Sequence, residues 1–306
     1  MCIRDSNYAA HIDLEEVENI DDIYDFALRG SMVHGKLYGI PRIACRPVLF
    51  YRSDDKEIEE AKGILEIFDI VGGTNSDTKT LPKGEGLFID LTGSTTCAAL
   101  YLDSLADSLN AYSVEQELPA SNRLDGSVVG NLRLLTEMAG IKQATSEKLY
   151  GKRAGKFAEG YGRIMIGWTE RLAKMPKASH DKVKIRRLPL ADDDDENLMF
   201  VDTLVINSTL TGKQRELAIK FANFVSSAEV VAKTFLVTDP DTKSPQYLLP
   251  VRNSFFEIDE VKSQAAKYTE LKAILDATPR TMRLPGNARI WLARNKDTIQ
   301  SKIIGR

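Results

Sequence analysis

The fold is decided by residues 39–52, GIPRIACRPVLFYR, in which a cysteine stands inside an apolar, strand-like run. Pro41 precedes Cys45 and Pro47 follows it. Proline fixes φ and lacks a backbone N–H, so this pattern excludes a helix and an ordinary central strand. We interpret the run as a strand that leaves one sheet and enters another. Such a crossing puts Cys45 where two lobes meet, and clefts between lobes are common ligand sites.

Composition restricts the class of protein. The chain has 306 residues, of which 43% are hydrophobic, enough for a sizeable core and for two lobes. Its net charge is -3, and its 41 lysines and arginines are scattered rather than clustered. Nucleic-acid-binding proteins favour a basic stripe, so we expect no nucleic-acid partner. No apolar run has membrane-spanning length, so we expect no membrane insertion. The charge mildly favours neutral or cationic small ligands.

Hydrophobic spacing predicts strands that alternate with helices, which is typical of α/β layers. A Gly/Thr/Asn/Asp/Pro-rich loop is predicted over 71–86. The last clear helix carries apolar positions at Leu217, Phe221, Phe224 and Val225. The predicted strands are 37–43, 48–51, 87–91, 163–168, 183–188 and 200–207. One or two short helices are predicted over 14–28, and further helices over 58–68, from the N-cap candidates at 92–96 to about Leu109, over 128–139, from Thr169, and over 213–226.

Two polar motifs have plain structural interpretations. The acidic run at 192–196 lacks the spacing, the glycine and the final glutamate of a calcium loop, so we favour a solvated loop over a metal site. Residues 93–96 precede a helix, where backbone amides bind anions in some proteins. An ordinary N-cap is the simpler interpretation.

The cysteines and histidines limit the possible chemistry. With Cys2 set aside because it lies in the aperiodic N-terminus, Cys45 and Cys97 allow one disulfide, although we interpret Cys97, beside two alanines, as a small buried side chain. His11, His34 and His180 give weak support to a Cys–His pair, so a carboxylate is the better base for Cys45. Ordinary pKa values are about 8.5 for cysteine and 4.3 for glutamate, which makes the proton transfer uphill by roughly 6 kcal/mol. Either burial must raise the pKa of the base, or the proton must move in concert with the attack of the sulfur.

Several segments resemble a known family. Residues 35–41, GKLYGIP, resemble the extracellular solute-binding proteins of ABC transporters, as do 200–225 and 245–252. A narrower resemblance, over about 20–295, is to the thiaminase I (thiamine pyridinylase) family. It rests on the blocks 40–52, 86–103, 131–140 and 160–170, which include the cysteine after Ile-Pro, the Thr-Thr-Cys-Ala motif and Gly-Trp-Thr-Glu.

The resemblance implies a mechanism and a set of site residues. The catalytic cysteine and glutamate of the family match Cys45 and Glu170. The cysteine adds to C6 of the thiamine pyrimidine, the thiazole leaves, and an external amine or thiol replaces it. Asp202 matches an acidic residue of the family that is a candidate to bind the aminopyrimidine. Trp168 and Phe200 match positions where the family often has tyrosines. Stacking on the pyrimidine and plain core packing are equally good interpretations of these two rings.

The resemblance also leaves some assignments open. Asp25 is a more loosely aligned candidate for a further acid of the cleft. Arg46 and Pro47 replace the small polar residues that usually follow the family cysteine, and Arg46 either lowers the pKa of Cys45 or points away from it. No metal or organic cofactor is implied, and the expected partners are thiamine and a small nucleophilic co-substrate.

The expected fold is the two-lobed α/β fold of the periplasmic-binding type II class, with an interlobe cleft. Lobe 1 comprises 1–46 and 200–250, and lobe 2 comprises 47–199 and 251–306. Residues before Asp13 show no periodic element and no secretory signal, so we expect an N-terminal truncation that removes the opening strand and helix of lobe 1. The family implies a secreted or periplasmic monomer. The alternative function is a non-catalytic binding protein for thiamine or a related pyrimidine, which needs neither Cys45 nor Glu170.

Overall fold

A computed structural model describes residues 8–109, 118–120, 123–191, 198–264, 266–277 and 288–305. The described chain alternates strands with helices, as predicted. Its strands are β1 Met32–Val33, β2 Lys36–Leu37, β3 Ile40–Cys45, β4 Pro47–Arg52, β5 Lys83–Phe88, β6 Gly162–Trp168, β7 Val183–Arg187, β8 Phe200–Leu204 and β9 Leu249–Pro250. Its α-helices are α1 Asp25–Gly30, α2 Lys56–Glu60, α3 Ile64–Val71, α4 Ser94–Leu109, α5 Gly126–Ala139, α6 Ile141–Ala144, α7 Arg153–Ala158, α8 Gly212–Ser226, α9 Ala228–Phe235, α10 Asp259–Gln264, α11 Tyr268–Asp276 and α12 Ala288–Ile304.

Short 3-10 helices connect several of these elements. They span Leu14–Glu16, Ile20–Asp22, Glu147–Leu149, Thr169–Lys174, Lys177–Lys182 and Asn253–Glu257. The predicted helix over 58–68 is interrupted, because Ala61 adopts an extended ψ of 131° and Gly63 is also extended. The helix predicted from Thr169 is a 3-10 helix of six residues. No helix in the described part of the chain is both long and apolar enough to cross a membrane.

The first unit comprises Met1–Arg46, Met199–Val237 and Pro245–Arg280. Its sheet has the antiparallel order β8-β3-β9. Residues 8–12 also join this unit, because Ala10 N donates to Ile206 O and Ile12 N donates to Leu37 O. Ile12 is fully buried. Local periodicity did not reveal this segment, since isolated bridges to distant residues leave no repeating pattern.

The second unit comprises Pro47–Leu198, Thr238–Ser244 and Thr281–Arg306. Its sheet has the order β5-β6-β4-β7. Strands β5 and β6 are parallel, whereas β4 is antiparallel to both of its neighbours. Val48, Leu49 and Phe50 of β4 are fully buried, as expected for a strand covered on both faces. The chain therefore enters the second unit at Pro47, at the predicted crossing.

The boundaries after residue 237 differ from those expected from the sequence. Residues 251–280 lie in the first unit, because Arg252 donates hydrogen bonds to the carbonyl oxygens of Glu18, Asn19 and Ser226 at 2.8–2.9 Å. Residues 238–244 lie in the second unit, where Asp239 pairs with Lys174 at 2.6 Å. Both anchors join residues that are remote in sequence, so composition alone gave no indication of them.

The buried face of α8 combines apolar and polar residues, namely Ile219, Ala222, Asn223 and Ser226, and excludes the large apolar residues predicted for it. Leu217, Phe221 and Phe224 are 56%, 64% and 61% exposed. The side that packs contains Asn223, whose amide donates to Glu16 O at 2.8 Å while its Oδ1 accepts from Glu18 N at 3.0 Å. Hydrogen bonding by Asn223 and burial of Ile219 and Ala222 therefore act together on this face of the helix. The acidic run at 192–196 lies outside the described residues.

Candidate active site

Three predicted site residues share one face of the first-unit sheet. In the β3–β8 ladder Cys45 lies opposite Phe200, and Ile43 lies opposite Asp202. Residues directly opposite each other in an antiparallel pair project to the same side, as do residues two apart along a strand. The side chains of Cys45, Phe200 and Asp202 therefore emerge from the same face. Cys45 and Phe200 are partly buried, and Asp202 is exposed.

The opposite face of this sheet is packed. Ala44 is 1% exposed, and a Cβ added to Gly30 at the end of α1 would lie 3.2 Å from Val201 Cγ2. Helix α1 therefore covers the side that carries Ala44 and Val201, which leaves the thiol on the more accessible side. Successive side chains of a strand point to opposite faces of the sheet, so burial of Ala44 on one face directs the Cys45 thiol to the other. Arg46, the next residue, is fully buried.

The second unit contains a cavity of about 370 Å³ at one edge of its sheet. Because β5 and β6 are parallel, their carboxyl ends meet at this edge, where ligands bind in many α/β proteins. Asp90 follows β5, and Glu170 follows β6, whose last residue is Trp168. All three line the cavity, whose other polar or aromatic lining residues include Tyr150, Arg153 and Arg171. The volume lies within the range of small-molecule sites.

Glu170 has the environment of a proton acceptor. Its Oε2 is buried and has no hydrogen-bond partner among the described residues. Burial raises the pKa of Glu170, while its own backbone amide and the Arg171 charge act in the opposite direction. A carboxylate that is poorly solvated binds a proton more strongly than an exposed one. The electrostatic requirement derived from the sequence is therefore met at Glu170.

An ion-pair network, which the sequence reasoning missed, lies beside Glu170. Asp90 Oδ1 accepts hydrogen bonds from Thr92 N at 3.1 Å and Thr92 Oγ1 at 2.6 Å. The same carboxylate lies 3.4 Å from Arg153 Nη1 and 4.0 Å from Arg171 Nη2. The signal available in the sequence was an aspartate directly after a buried strand, followed by a Thr-Gly turn into a helix.

The remaining candidates do not join these groups. Cys97 is fully buried on α4, and burial raises the pKa of its thiol to about 12, as expected for a packing residue. Cys45 and Cys97 are not joined to each other, so the disulfide that the sequence allowed is not formed. Asp25, the first residue of α1, forms an i,i+4 ion pair with Arg29. Its role in a cleft stays a prediction.

Comparisons with known proteins identify the family. The family described as Thiaminase-1 domain matches residues 46–191. Thiaminase-1 of Paenibacillus thiaminolyticus is 32% identical over 299 residues, which is 96% of this chain and 72% of that protein. The solved structure of Clostridium botulinum thiaminase I in complex with thiamin is 31% identical and superposes with a TM-score of 0.89, covering 98% of this chain and 82% of that one.

A more distant comparison concerns the fold alone. Maltose-bound MalE3 of T. maritima superposes with a TM-score of 0.65 at 14% identity, covering 97% of this chain and 78% of that one. The predicted periplasmic-binding type of α/β fold is thereby confirmed. The sequence identity and coverage shared with Thiaminase-1 show more than the fold: this chain belongs to the thiaminase I family.

Proposed function

We propose that this protein degrades thiamine by transferring its pyrimidinylmethyl group from the thiazole to an external amine or thiol. The observation that carries the proposal is the Glu170 carboxyl at the lining of a ligand-sized cavity: its Oε2 is buried without a hydrogen-bond partner among the described residues, and burial raises its pKa. A protein that only bound a solute would have no need of such a group. Membership of the thiaminase I family gives the substrate class.

Cys45 is the proposed nucleophile. Its sulfur adds to C6 of the pyrimidine while Glu170 takes the thiol proton. The bond from the bridging methylene to the thiazolium nitrogen then breaks, and neutral thiazole leaves with the electron pair. The incoming amine or thiol bonds to the methylene, and expulsion of the cysteine restores the pyrimidine. Glu170 returns its proton to the departing cysteine sulfur, and the incoming amine or thiol loses its own proton to solvent. The sum is thiamine plus nucleophile giving the substituted pyrimidine, thiazole and one proton.

The raised pKa of Glu170 supports this division of roles. Between an ordinary thiol and an ordinary glutamate the proton transfer is uphill by about 4 pKa units. Burial of Glu170 narrows that difference, because it destabilises the charged form of the acceptor. The chain path also supports the pairing: Cys45 is two residues from Pro47, whose ladder partner Trp168 is two residues from Glu170. The mechanism requires the thiol and the carboxyl to reach the same thiamine molecule.

The other site residues have binding roles in this proposal. Asp202, on the same strand face as Cys45, accepts a hydrogen bond from the aminopyrimidine. Phe200 lies opposite Cys45 in the ladder, and Trp168 lines the Glu170 cavity. In this proposal one of these rings stacks on the pyrimidine. In this proposal the protein acts as a secreted or periplasmic monomer and needs no cofactor.

The decisive experiment is to measure thiamine loss per protein molecule with and without an aromatic amine or a thiol. We expect many turnovers with the co-substrate and a product in which the pyrimidinylmethyl group is joined to the added nucleophile. Saturable, stoichiometric binding without thiamine loss under the same conditions would instead support the non-catalytic solute-binding function.

A further inference from the structure

The Glu170 cavity holds two carboxyl groups and two guanidinium groups. Among its described lining residues the acids are Asp90 and Glu170, and the guanidinium groups belong to Arg153 and Arg171. Both ion pairs of the cavity go to Asp90, at 3.4 Å and 4.0 Å. Glu170 has no ion pair in the described part of the chain, although Arg171 is its neighbour in sequence. The two guanidinium groups are therefore paired with one carboxyl of the cavity and not with the other.

We propose that Asp90 is a positioning residue that engages Arg153 and Arg171 so that neither guanidinium pairs with Glu170. This inference rests on the proposed function, in which Glu170 accepts the proton of the attacking thiol. A glutamate held in an ion pair is a weaker proton acceptor, because the pair stabilises its charged form. Asp90 would thus preserve the basicity of Glu170 without touching the substrate.

Arg153 is buried and depends on Asp90 for the compensation of its charge. Its side chain is 7% exposed, and its Nε and Nη2 are fixed by Gln143, Ala144 and Ser146. Its Nη1 is buried without a hydrogen bond, so Asp90 supplies the charge that compensates it. Removing one partner of a buried pair leaves an uncompensated charge. Glu170 is the other carboxyl in the cavity, and without Asp90 it would become the partner of Arg171, whose charge already acts on it.

Asp90 itself is fixed for this task. Thr92 holds Oδ1 through its backbone amide and its hydroxyl, in a turn that leads from β5 into α4. The titratable groups that line the cavity with Glu170 are Asp90, Tyr150, Arg153 and Arg171. Of the basic residues on the same 3-10 helix as Glu170, Lys174 pairs with Asp239 at 2.6 Å, and Arg171 is the one that lies beside Asp90. Asp90 is therefore the acid in the cavity that competes with Glu170 for Arg171.

The test compares the wild type, Asp90→Asn and Asp90→Asn/Arg171→Gln in the full chain. One readout does not depend on activity: the titration midpoint of the Glu170 carboxyl by ¹³C NMR with δ-labelled glutamate, assigned by its loss in Glu170→Gln. The second readout is the pH dependence of kcat/KM for thiamine loss. Asp77→Asn is the matched control, because it removes an exposed ion pair with Lys142 outside the cavity.

In Asp90→Asn we expect the titration midpoint of Glu170 to move to lower pH, and the acid limb of the kcat/KM profile to move with it. We expect kcat to fall roughly tenfold, which is less than the 10²–10⁴-fold typical of removing a general base. The added Arg171→Gln change should reverse much of the shift, and Asp77→Asn should change neither readout. An unchanged midpoint in Asp90→Asn would overturn the inference. If Asp90→Asn does not fold, Thr92→Val must give a smaller shift in the same direction, and no shift there would also overturn it. Absence of turnover in the wild type would sink the proposed function, while the NMR midpoints would still decide the role of Asp90.

Discussion

Replacing Glu170 by glutamine should have opposite effects on activity and stability. The amide keeps the shape of the side chain but cannot accept the thiol proton, and loss of a general base typically costs about 10²–10⁴-fold in rate. Thiamine is cationic at its thiazolium, so the lost charge also weakens binding, but by much less. We therefore expect kcat to fall by two to four orders of magnitude with a modest change in KM.

The stability effect follows from the raised pKa of Glu170. Burial raises this pKa in the folded protein, so the folded state holds the proton more tightly than the unfolded chain does. That contribution is fully present below the pKa of an unfolded glutamate and is lost as the pH rises through the folded pKa. The glutamine variant carries no such charge. At neutral pH it should be more stable than the wild type by on the order of 1 kcal/mol, because the variant no longer buries a charge and each unit of raised pKa corresponds to about 1.4 kcal/mol. This corresponds to a Tm increase of about 2–4 °C.

The assay is steady-state thiamine loss together with thermal unfolding at pH 4 and pH 7. The Tm difference should be present at pH 7 and small at pH 4. Glu159→Gln is the control, since Glu159 is exposed and pairs with Lys156 at 3.2 Å, and it should change neither activity nor this pH dependence. Near-wild-type kcat in Glu170→Gln would refute its role as base. If the Tm difference between Glu170→Gln and the wild type were the same at pH 4 and at pH 7, the effect of burial on Glu170 would be refuted.

Two further predictions concern thiol reactivity and backbone geometry. Iodoacetamide at neutral pH should label Cys45 and spare Cys97 in the folded protein, because burial raises the pKa of Cys97 to about 12; peptide mass spectrometry distinguishes the two sites, and rapid labelling of Cys97 would contradict its buried placement. Gly86→Ala should destabilise the protein by about 1–3 kcal/mol, because φ is 78° and the new Cβ would lie 2.8 Å from Leu81 Cδ2. Gly84→Ala is the control, at a φ of 69° with open space, so denaturant unfolding should give it the smaller loss, and equal losses would show that strain rather than the contact decides.

The parts of this molecule that follow from local pattern were predictable from the sequence. The prolines around Cys45 indicated a chain crossing, and β3 and β4 meet there, between Cys45 and Pro47. The chemistry of a cysteine with a carboxylate partner requires an acid whose pKa is raised by burial, and burial raises the pKa of Glu170, whose role as base stays a prediction. Both inferences depend on residues within a few positions of each other or on a single side chain.

The parts that depend on distant contacts were not predictable. Arg252 draws residues 251–280 into the first unit through carbonyl groups more than 25 residues away in sequence. Asn223, rather than the phenylalanines of α8, packs against the chain near Glu16. The Asp90 network depends on the parallel pairing of β5 and β6, which brings together two strand ends separated by a long insertion. No local periodicity encodes such a juxtaposition.

The most direct test of the account is Cys45→Ser, measured for both thiamine turnover and thiamine binding in the presence of an amine co-substrate. A hydroxyl is similar in size to a thiol but far less nucleophilic, so the account predicts that turnover is abolished while thiamine still binds with near-wild-type affinity. Continued turnover by Cys45→Ser at a rate close to that of the wild type would contradict the central claim that this cysteine carries the reaction.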